Sequence, residues 1–590
     1  MLRWRGPKTL ASDCRPLDYL TGTVPAALAH TARLAPERGI AVFDRRGQSV
    51  ERHTYPEILE LAQLAAARLA TAGIGPGDRL LMCLPTSWDL LAAHLGAIIR
   101  GAYPVLVAPT GALGGSEAHA HKVAGLVELL GPKRLLCDAA TRKELLDFGA
   151  PAAAALSMTP DEFTAHAPAS GRIEHSARPD DIAFMQLTSG STGRQRAVMI
   201  RHSSVLHNTA ASGLFADTVP FIGQDCVVCW LPLNHDMGLV GCFFFAITHG
   251  LDLWLLRPDA FLARPKLWLR TLSAHANGLS PAPNFAYQLC VERVEPAEVA
   301  ELSLSHWKAA LTGAEMIQPQ TCSAFRDKFA ACGFREPFFL PCYGMAEGTL
   351  ALAADLKRTG VRTAPVPLSQ TSDPALNEVV CVGAPTSDME IRISNAGKPG
   401  EFLGDEQVGE IWVRGPSIFA GYYNDEAATA DTLVGVRGMG VPPMIPSESP
   451  AHHWLRTGDL GFLKNGELYI TGRLKDLLIV HGHNLMPHEL EWIAEGASGG
   501  GGMERCGAFS VPGGAEGERA VLVLEVSGTD GAQLAALGHE IRVRVGKALG
   551  MPLADLVFVK RGHIPKTTSG KVQRGELRRR YLEGRLQRLS

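Results

Sequence analysis

The stretch 188–193, which reads TSGSTG, combines residue types that bind phosphate. Its hydroxyl groups and glycines leave O–H and backbone N–H donors free to surround phosphate oxygens, and Arg196 and Arg201 add positive charge nearby. The stretch does not match the Walker A motif, because no Gly-Lys-Ser or Gly-Lys-Thr sequence closes it. It therefore predicts a nucleotide-phosphate loop of another kind, with an ordinary solvent-exposed turn as the alternative.

Further polar residues interrupt apolar runs where a protein core would exclude them. They are His235 with Asp236, Asn284, Glu315, Tyr343 with Gly344 and Glu347, and Thr457 with Asp459. A second segment rich in Gly, Ser and Thr, PKTTSGKVQR, contains Lys571 near the end of the chain. Taken singly, each residue is explained as well by a solvated side chain, a satisfied core histidine or a plain turn. Their value as candidates comes from their order along the chain.

The charge balance of the chain argues against a polyanionic partner. Lys and Arg number 57 against 60 Asp and Glu, so the net charge of the 590 residues is −3. No general field attracts the protein to nucleic acid or to an anionic membrane, and we expect neither as a partner. Basic residues concentrate from Lys571 onward, where Glu576 and Glu583 favour a solvated helix face over a surface that docks an acidic carrier protein.

Hydrophobic patterning predicts a cytoplasmic protein with reduced thiols and no membrane span. The most apolar run, 239–256, is interrupted by His249 and Asp252, so it is too polar to cross a bilayer and is typical of buried core. The first residues lack the apolar core of a signal peptide, which predicts that the protein is not exported. The C-x-x-C pair Cys226 and Cys229 has no second pair at zinc spacing and is interpreted as core.

The elements that must position these residues follow an alternating pattern of strands and helices. A predicted βαβ unit contains a strand over 79–84, a helix capped by Thr86 and Asp89 and ended by Gly101, and a strand over 103–107. A helix over 56–73 precedes the unit. Similar alternation recurs at 227–233, 251–256 and 307–311. This pattern favours a doubly wound α/β core that binds ligands at strand ends.

Later segments have a different character. Short alternating runs at 390–393, 408–415 and 466–471 predict a smaller β subdomain. Two loops rich in turn-forming residues, 359–378 and 435–453, are expected at the surface. A compact α+β pattern follows Lys475.

Taken together and in this order, the motifs resemble those of the adenylate-forming superfamily, which includes acyl-CoA synthetases, luciferases and nonribosomal adenylation domains. The resemblance extends from Tyr55 to Tyr581. The segments LPLNHDMGLVG, SPAPNFAYQLC, PCYGMAEGTL and GRLKDLLIVHGHNLMPHELE are most similar to fatty acyl-AMP ligases, a subfamily with an insertion near the loop 359–378.

The resemblance implies an α/β fold and its division into domains. A large N-terminal domain, residues 1–472, would hold two doubly wound α/β subdomains and a small β-barrel-like subdomain. A hinge over 473–476, which contains Lys475, would connect it to a small, mobile α+β C-terminal domain over 477–590.

The resemblance also implies a role for each candidate residue toward ATP. Together with Arg196, the phosphate loop would surround the phosphates; it consists of Thr188, Ser189, Gly190, Ser191, Thr192 and Gly193. The adenine side would be lined by Gly313, Ala314 and Glu315. Tyr343, followed by Gly344, would stack on the base, while Asp459 would bind the ribose hydroxyls with help from Arg473.

On the acid side, the resemblance implies that His235, Asn284 and Phe285 border the acyl carboxylate. Glu347 would ligate Mg²⁺, and Lys571 would reach both the carboxylate and the α-phosphate. The implied activity is the ATP-dependent conversion of a fatty acid, or a related carboxylic acid, to an acyl adenylate with release of pyrophosphate. The acyl group would then pass to the phosphopantetheine thiol of an acyl carrier protein, with CoA as the alternative acceptor.

Two further alternatives follow from the residues. Gln195, Arg196 and Ala197 replace a Pro-Lys-Gly sequence that is common in the family, so a non-catalytic nucleotide-binding homologue stays open. A G-x-S-x-G pattern at 496–500 is the signature of a serine hydrolase. The nucleophile of those enzymes lies between a strand and a helix, whereas PHELEWIAEGA before Ser498 favours a helix, and we therefore reject the hydrolase.

Overall fold

The strands of the described residues form three sheets. The computed structural model describes residues 22–109, 115–168, 175–188, 195–218, 224–367, 377–435, 453–480, 483–497, 506–513, 518–528, 530–566 and 572–589. Two of the sheets lie within the first 473 residues, and the third begins at Leu478. The fold is therefore mixed α/β, with a large multi-sheet N-terminal region and a small C-terminal sheet.

The largest sheet has 15 strands and joins a parallel part to an antiparallel part. In spatial order its strands are Glu390–Ser394, Gly409–Arg414, Trp454–Lys464, Glu467–Arg473, Glu378–Pro385, Ala351–Ala354, Phe339–Gly344, Trp307–Thr312, Gly278–Ala282, Cys226–Cys229, Asp252–Leu255, Gly39–Phe43 and Val50–Thr54, with Thr363–Pro365 and Leu433–Val434 paired at its side. Phe339–Gly344 is parallel to Trp307–Thr312 and antiparallel to Ala351–Ala354. The predicted β-rich segments are thus hydrogen-bonded to the parallel strands through this junction.

The second sheet has seven strands and contains the predicted βαβ unit. Its order is Gly421–Tyr422, Arg196–Arg201, Ile182–Thr188, Tyr103–Leu106, Arg79–Cys83, Arg134–Cys137 and Ser157–Met158. The helix Trp88–Arg100 connects two parallel strands of the unit and ends at Gly101, whose φ is 74°. The predicted cap at Thr86 and Asp89 is wrong, because Ser87 is the extended residue and its hydroxyl accepts from the backbone N–H of Leu90.

The C-terminal sheet has five strands and its own apolar core. The strands are His483–Leu485, Leu478–Val480, Glu518–Val526, Cys506–Pro512 and Asp555–Lys560. The helices of this lobe are Pro487–Ala497, Gly531–Leu549 and Arg574–Leu582. Leu490, Leu522 and Ile541 are fully buried between the sheet and these helices. Ser498 lies outside the described residues, and the described residues just before it form the helix Pro487–Ala497 where a hydrolase nucleophile requires a strand.

Helices cover the two larger sheets. The α-helices of this region are Val24–Leu34, Tyr55–Thr71, Trp88–Arg100, Ser116–Leu130, Ala139–Asp147, Pro151–Ala155, Pro160–Ala165, His202–Phe215, Asp236–Gly238, Phe245–His249, Pro258–Ala263, Lys266–Ala274, Asn284–Arg293, Pro296–Val299, Pro319–Phe329 and Glu426–Thr432. The apolar run after residue 239 is buried as predicted, first as a π-helical turn, Leu239–Phe244, and then as Phe245–His249. Within the described ranges, no helix combines the length and apolar character needed to cross a membrane.

Candidate active site

A cleft of about 2570 Å³ is lined by residues of all three sheets and their connections. The predicted site residues that line it are Thr188, Arg196, His235, Asn284, Phe285, Ala314, Glu315, Tyr343, Gly344, Glu347, Asp459, Arg473 and Lys475. Gly313 is not among the lining residues, since it packs against the strand beneath the cleft, where a Cβ atom would approach the carbonyl oxygen of Cys342 to 2.6 Å. Residues 189–194 and Lys571 lie outside the described residues.

Asp459 is held between Tyr343 and Arg473 at the end of the antiparallel strands. Asp459 and Arg473 face each other in register on neighbouring strands, and the Nε of Arg473 lies 2.9 Å from Oδ1 of Asp459. The hydroxyl of Tyr343 donates to Oδ2 at 2.7 Å. The neighbouring carboxylate raises the pKa of Arg473, which keeps the guanidinium charged. Both oxygens of Asp459 are therefore fixed, and each retains lone-pair capacity for a ligand hydroxyl.

Glu347 lies in the short turn Ala346–Gly348, which follows the strand that carries Tyr343. The hydroxyl of Tyr422 donates to its Oε1 at 2.8 Å, and the backbone N–H of Phe419 donates to its carbonyl at 2.9 Å. Burial raises the pKa of the Glu347 carboxyl group. Asn208 is fully buried beneath this turn, where its Nδ2 donates to the carbonyl of Gly348 at 3.2 Å. Glu347 is thus held in place both through its carboxylate and through the backbone of its turn.

The two ends of the predicted phosphate loop meet at the cleft. Thr188 and Arg196 are paired in register as the facing residues of an antiparallel hairpin, so the loop connects two strands. Nε of Arg196 lies 3.3 Å from Oδ2 of Asp425. Arg201 does not line the cleft, because it lies at the other end of the same strand, opposite Ile182. Three arginines follow the loop in the sequence; Arg194 lies outside the described residues, and of the other two Arg196 is the one placed to act there.

The predicted acid side begins at the N-terminus of the helix Asn284–Arg293. Oε1 of Glu315 accepts from the backbone N–H of Phe285 at 2.7 Å, so this carboxylate caps the helix in addition to lining the cleft. Oδ1 of Asn284 accepts from the backbone N–H of Gln318 at 3.0 Å. His235 precedes the turn Asp236–Gly238 and also lines the cleft.

The aromatic residues that could line a site for an acyl chain separate into two groups. Phe245 and Phe285 reach the cleft. The others pack in the core as fully buried rings; they are Phe243, Phe244, Trp268 and Tyr287. The edge-to-face contact of Trp268 with Tyr287, at 5.6 Å, is typical of core packing.

The C-terminal lobe contributes a partly buried ion pair next to the segment with Lys571. Arg574 forms two hydrogen bonds with the carboxylate of Glu491, at 2.8 and 2.6 Å, and its Nη1 lies 3.5 Å from Asp476. Lys566 and Val572, which bracket 567–571, form an antiparallel bridge, and both line the cleft. The ends of this segment therefore face the same cleft as Tyr343 and Glu347.

A hydrogen bond between Gln318 and Glu495 links the N-terminal region to the C-terminal lobe. Nε2 of Gln318 donates to Oε2 of Glu495 at 3.1 Å. Burial, opposed in part by the hydrogen bond from Gln318, raises the pKa of Glu495 from its ordinary 4.5 to about 7. The folded protein thus binds the carboxyl proton more tightly than the unfolded chain does. The stability that this proton contributes is fully present below a pH of about 4.5 and is lost as the pH rises through about 7.

We expect Glu495→Gln to raise the thermal stability of the protein at pH 8 by about 1 kcal/mol, a few degrees in Tm, with no gain at pH 5. The neutral amide can still accept the hydrogen bond from Gln318, and it needs no buried charge above neutral pH. Thermal unfolding at both pH values checks this. The matched control is Glu540→Gln, an exposed glutamate of the same lobe paired with Arg544. A gain of equal size at both pH values would contradict the assignment to Glu495.

Several residues that were not predicted from the sequence contact the predicted site residues or the segments that carry them. Tyr422, Asn208, Glu491 and Arg574 contact Glu347, its turn or the segment next to Lys571. A partial signal for Tyr422 was the sequence GYYN, in which Gly421 has a φ of 136° and marks a special turn. Asn208 gave no signal, because a single asparagine in the helix His202–Phe215 is unremarkable until its buried partners are known.

Known proteins match this chain over most of its length. The family described as AMP-binding enzyme matches residues 28–423. The long-chain-fatty-acid AMP ligase FadD28 of Mycobacterium tuberculosis is 31% identical over 596 residues, which cover 96% of this chain and 99% of FadD28. The medium-chain-fatty-acid acyl-carrier-protein ligase TtuA of Teredinibacter turnerae is 34% identical over 430 residues, or 70% of this chain and 65% of TtuA.

A solved structure gives the same result for the fold. It comes from a study of fatty acyl-adenylate ligases from E. coli and L. pneumophila, and it matches with a TM-score of 0.84 at 28% identity, over 97% of this chain and 99% of that one. With the family match extending from the first helix through Tyr423, and with most of the described predicted residues gathered in one cleft, the chain belongs to the AMP-binding, adenylate-forming enzymes.

Proposed function

We propose that the protein is a fatty acyl-AMP ligase, which activates a fatty or related carboxylic acid with ATP and then transfers the acyl group to the phosphopantetheine thiol of an acyl carrier protein. The observation that carries this proposal is the convergence on one cleft of Glu347, the Tyr343–Asp459–Arg473 cluster and the ends of both loops rich in Gly, Ser and Thr. The names of the similar proteins FadD28 and TtuA support the class of acid and of acceptor.

In the first step, an oxygen of the acid's carboxylate attacks the α-phosphorus of ATP. The bond from that phosphorus to the oxygen bridging the β-phosphate breaks, and pyrophosphate leaves. The acid is ionised at neutral pH, so the step needs no general base. His235, Asn284 and Phe285 would therefore border and orient the carboxylate rather than exchange protons with it.

The obstacle to this attack is electrostatic, because an anion approaches a polyanion. The proposed phosphate loop and Arg196 would provide hydrogen-bond donors and charge for the phosphates, and Lys571 would neutralise charge between the carboxylate and the α-phosphate. Asp459 would accept hydrogen bonds from the ribose hydroxyls, with Arg473 and Tyr343 holding it in place. Tyr343, with Gly344, Ala314 and Glu315, would form the adenine side, and Gly313 would pack beneath it.

Glu347 fits the donor set for Mg²⁺ bound with a nucleotide. Within the described residues, no group of three or more His, Cys, Asp or Glu side chains forms a metal site. Mg²⁺ in nucleotide enzymes is commonly held by one or two carboxylates together with substrate phosphates, which agrees with the buried carboxylate of Glu347 in the cleft. When bound, the ion would offset the charge on the phosphate oxygens.

In the second step, the thiol attacks the acyl carbon of the adenylate, the bond to the phosphate oxygen breaks, and AMP leaves. We propose that the C-terminal lobe, residues 477–590, rotates about 473–476 between the two steps. The short 3₁₀ turn Leu474–Asp476, which contains Lys475 and separates the last strand of the large sheet from the C-terminal sheet, supports this position for a hinge.

The experiment that tests the proposal is mass spectrometry of the adenylates formed from a mixed pool of fatty acids with ATP and Mg²⁺. We expect acyl adenylates and pyrophosphate, followed by acyl transfer when phosphopantetheinylated acyl carrier protein is added. Equal or faster transfer to CoA would identify an acyl-CoA synthetase instead. Binding of ATP with no adenylate from any acid in the pool would overturn the proposal in favour of a non-catalytic homologue.

A further inference from the structure

Tyr422 is the residue that fixes the carboxylate of Glu347. Its side chain is 6% exposed and that of Glu347 is 8% exposed, so the 2.8 Å hydrogen bond between them is shielded from water. A shielded hydrogen bond to a carboxylate is stronger and more directional than one at the surface. The hydroxyl engages Oε1 and thereby restricts the orientation of the Glu347 carboxylate, and Glu347 lines the cleft.

Tyr422 itself is tied to the strand that leaves the phosphate loop. It pairs in register with Val198 on the strand Arg196–Arg201, and its backbone N–H donates to the hydroxyl of Thr429 at 2.9 Å. The guanidinium of Arg196, the first residue of that strand, lies 5.1 Å from the centre of the Tyr422 ring. Tyr422 is thus held both through its backbone and through the face of its ring.

Asp425 in turn fixes Arg196. One oxygen of Asp425 accepts from the backbone N–H of Ala428 at 3.1 Å and caps the helix Glu426–Thr432, while the other lies 3.3 Å from Nε of Arg196. A planar guanidinium can serve a carboxylate at its edge and an aromatic ring at its face at the same time, which the ammonium of a lysine cannot do in this way. Arg196 can therefore pair with Asp425 and contact the face of the Tyr422 ring at the same time.

We propose that Arg196 and Tyr422 act together as positioning residues that couple the end of the phosphate loop to the Glu347 carboxylate and orient it for the cation that accompanies ATP. The inference rests on the proposed function and adds to it two residues with a defined task. Neither needs to touch the nucleotide for this task. Tyr422 acts through its hydroxyl on Glu347, and Arg196 acts through the face of the Tyr422 ring.

The test is isothermal titration calorimetry with α,β-methylene-ATP, whose α–β linkage cannot be cleaved, in the presence of Mg²⁺ or of EDTA. We expect Tyr422→Phe to weaken binding about tenfold with Mg²⁺ and less than about twofold with EDTA, since the variant keeps the ring and removes the hydroxyl. Tyr423→Phe is the matched control, because Tyr423 is the next residue and lies under a different guanidinium, that of Arg79. It should match the wild type in both conditions.

A double-mutant cycle separates positioning from a general structural effect. If Tyr422 acts through Glu347, the variant Tyr422→Phe/Glu347→Gln should bind the Mg²⁺ complex no more weakly than Glu347→Gln alone. Equal losses with and without Mg²⁺, or additive losses in the cycle, would overturn the inference. Normal adenylation by the wild type with an unchanged Mg²⁺ effect in Tyr422→Phe would overturn this inference alone. A wild type that forms no adenylate would overturn the proposed function and this inference with it.

Discussion

Replacing Lys571 with alanine is expected to slow adenylate formation at least about hundredfold, the loss typical when one group that stabilises transition-state charge is removed. Transfer of the acyl group from a preformed adenylate to a thiol should change by less than about threefold, because the proposed role of Lys571 ends when pyrophosphate leaves. Lys566 and Val572 form a backbone bridge and both line the cleft, which supports a position for Lys571 near the phosphates.

Single-turnover assays of the two half-reactions measure this difference directly. Pyrophosphate release reports the first, and acyl transfer from a synthetic acyl adenylate reports the second. Lys560→Ala is the matched control, since Lys560 is an exposed lysine at the end of the neighbouring strand Asp555–Lys560. Undiminished pyrophosphate release in Lys571→Ala, or equal losses in both half-reactions, would refute the assigned role.

The second large effect is expected for Asp459→Asn, which should raise the KM for ATP by about 10- to 100-fold, as for the loss of hydrogen bonds to a charged acceptor. The amide keeps an oxygen for Tyr343 but loses the charge that pairs with Arg473 and that, on the proposed function, would accept from two ribose hydroxyls. The effect on stability should be small, because the side chain of Arg473 is 43% exposed and water can solvate it.

A nucleotide without one ribose hydroxyl provides the check. The wild type should discriminate strongly between ATP and 2′-deoxy-ATP or 3′-deoxy-ATP, and Asp459→Asn should lose most of that discrimination. Asp405→Asn, at an exposed turn where the carboxylate accepts from the backbone N–H of Asn465, serves as the control. Unchanged discrimination in Asp459→Asn would show that the ribose binds elsewhere.

Local patterns predicted the parts of the fold that local interactions determine. The unit from Arg79 to Leu106 follows from apolar strands and a helix that ends at a glycine with positive φ. The junction of the parallel and antiparallel strands could not be predicted in this way. It depends on the pairing of Tyr343 with Ala353, and the strand Ala351–Ala354 is short and fully buried, so it has no alternation to reveal its partner.

The candidate site shows the same limit. Most of the described residues that sequence order predicted for the site line the cleft, because each interrupts an apolar run with a group that the chemistry needs. Sequence order did not predict their supports. Tyr422 is 75 positions from Glu347, and its importance depends on a contact that exists only in the folded chain. Glu315 shows the converse, since a carboxylate predicted for the adenine side also caps a helix through Phe285.

The pairing of Asp459 with Arg473 has a mechanical consequence. Arg473 is the last residue of its strand, and the 3₁₀ turn begins at Leu474. If 473–476 is the proposed hinge, the pivot adjoins Asp459 and Arg473, the pair proposed to bind the ribose. Rotation of the C-terminal lobe about this pivot would move residues far from it, such as Lys571, over a long distance, whereas residues next to the pivot would move little. The nucleoside would then stay bound while a different surface of the C-terminal lobe turns toward the cleft.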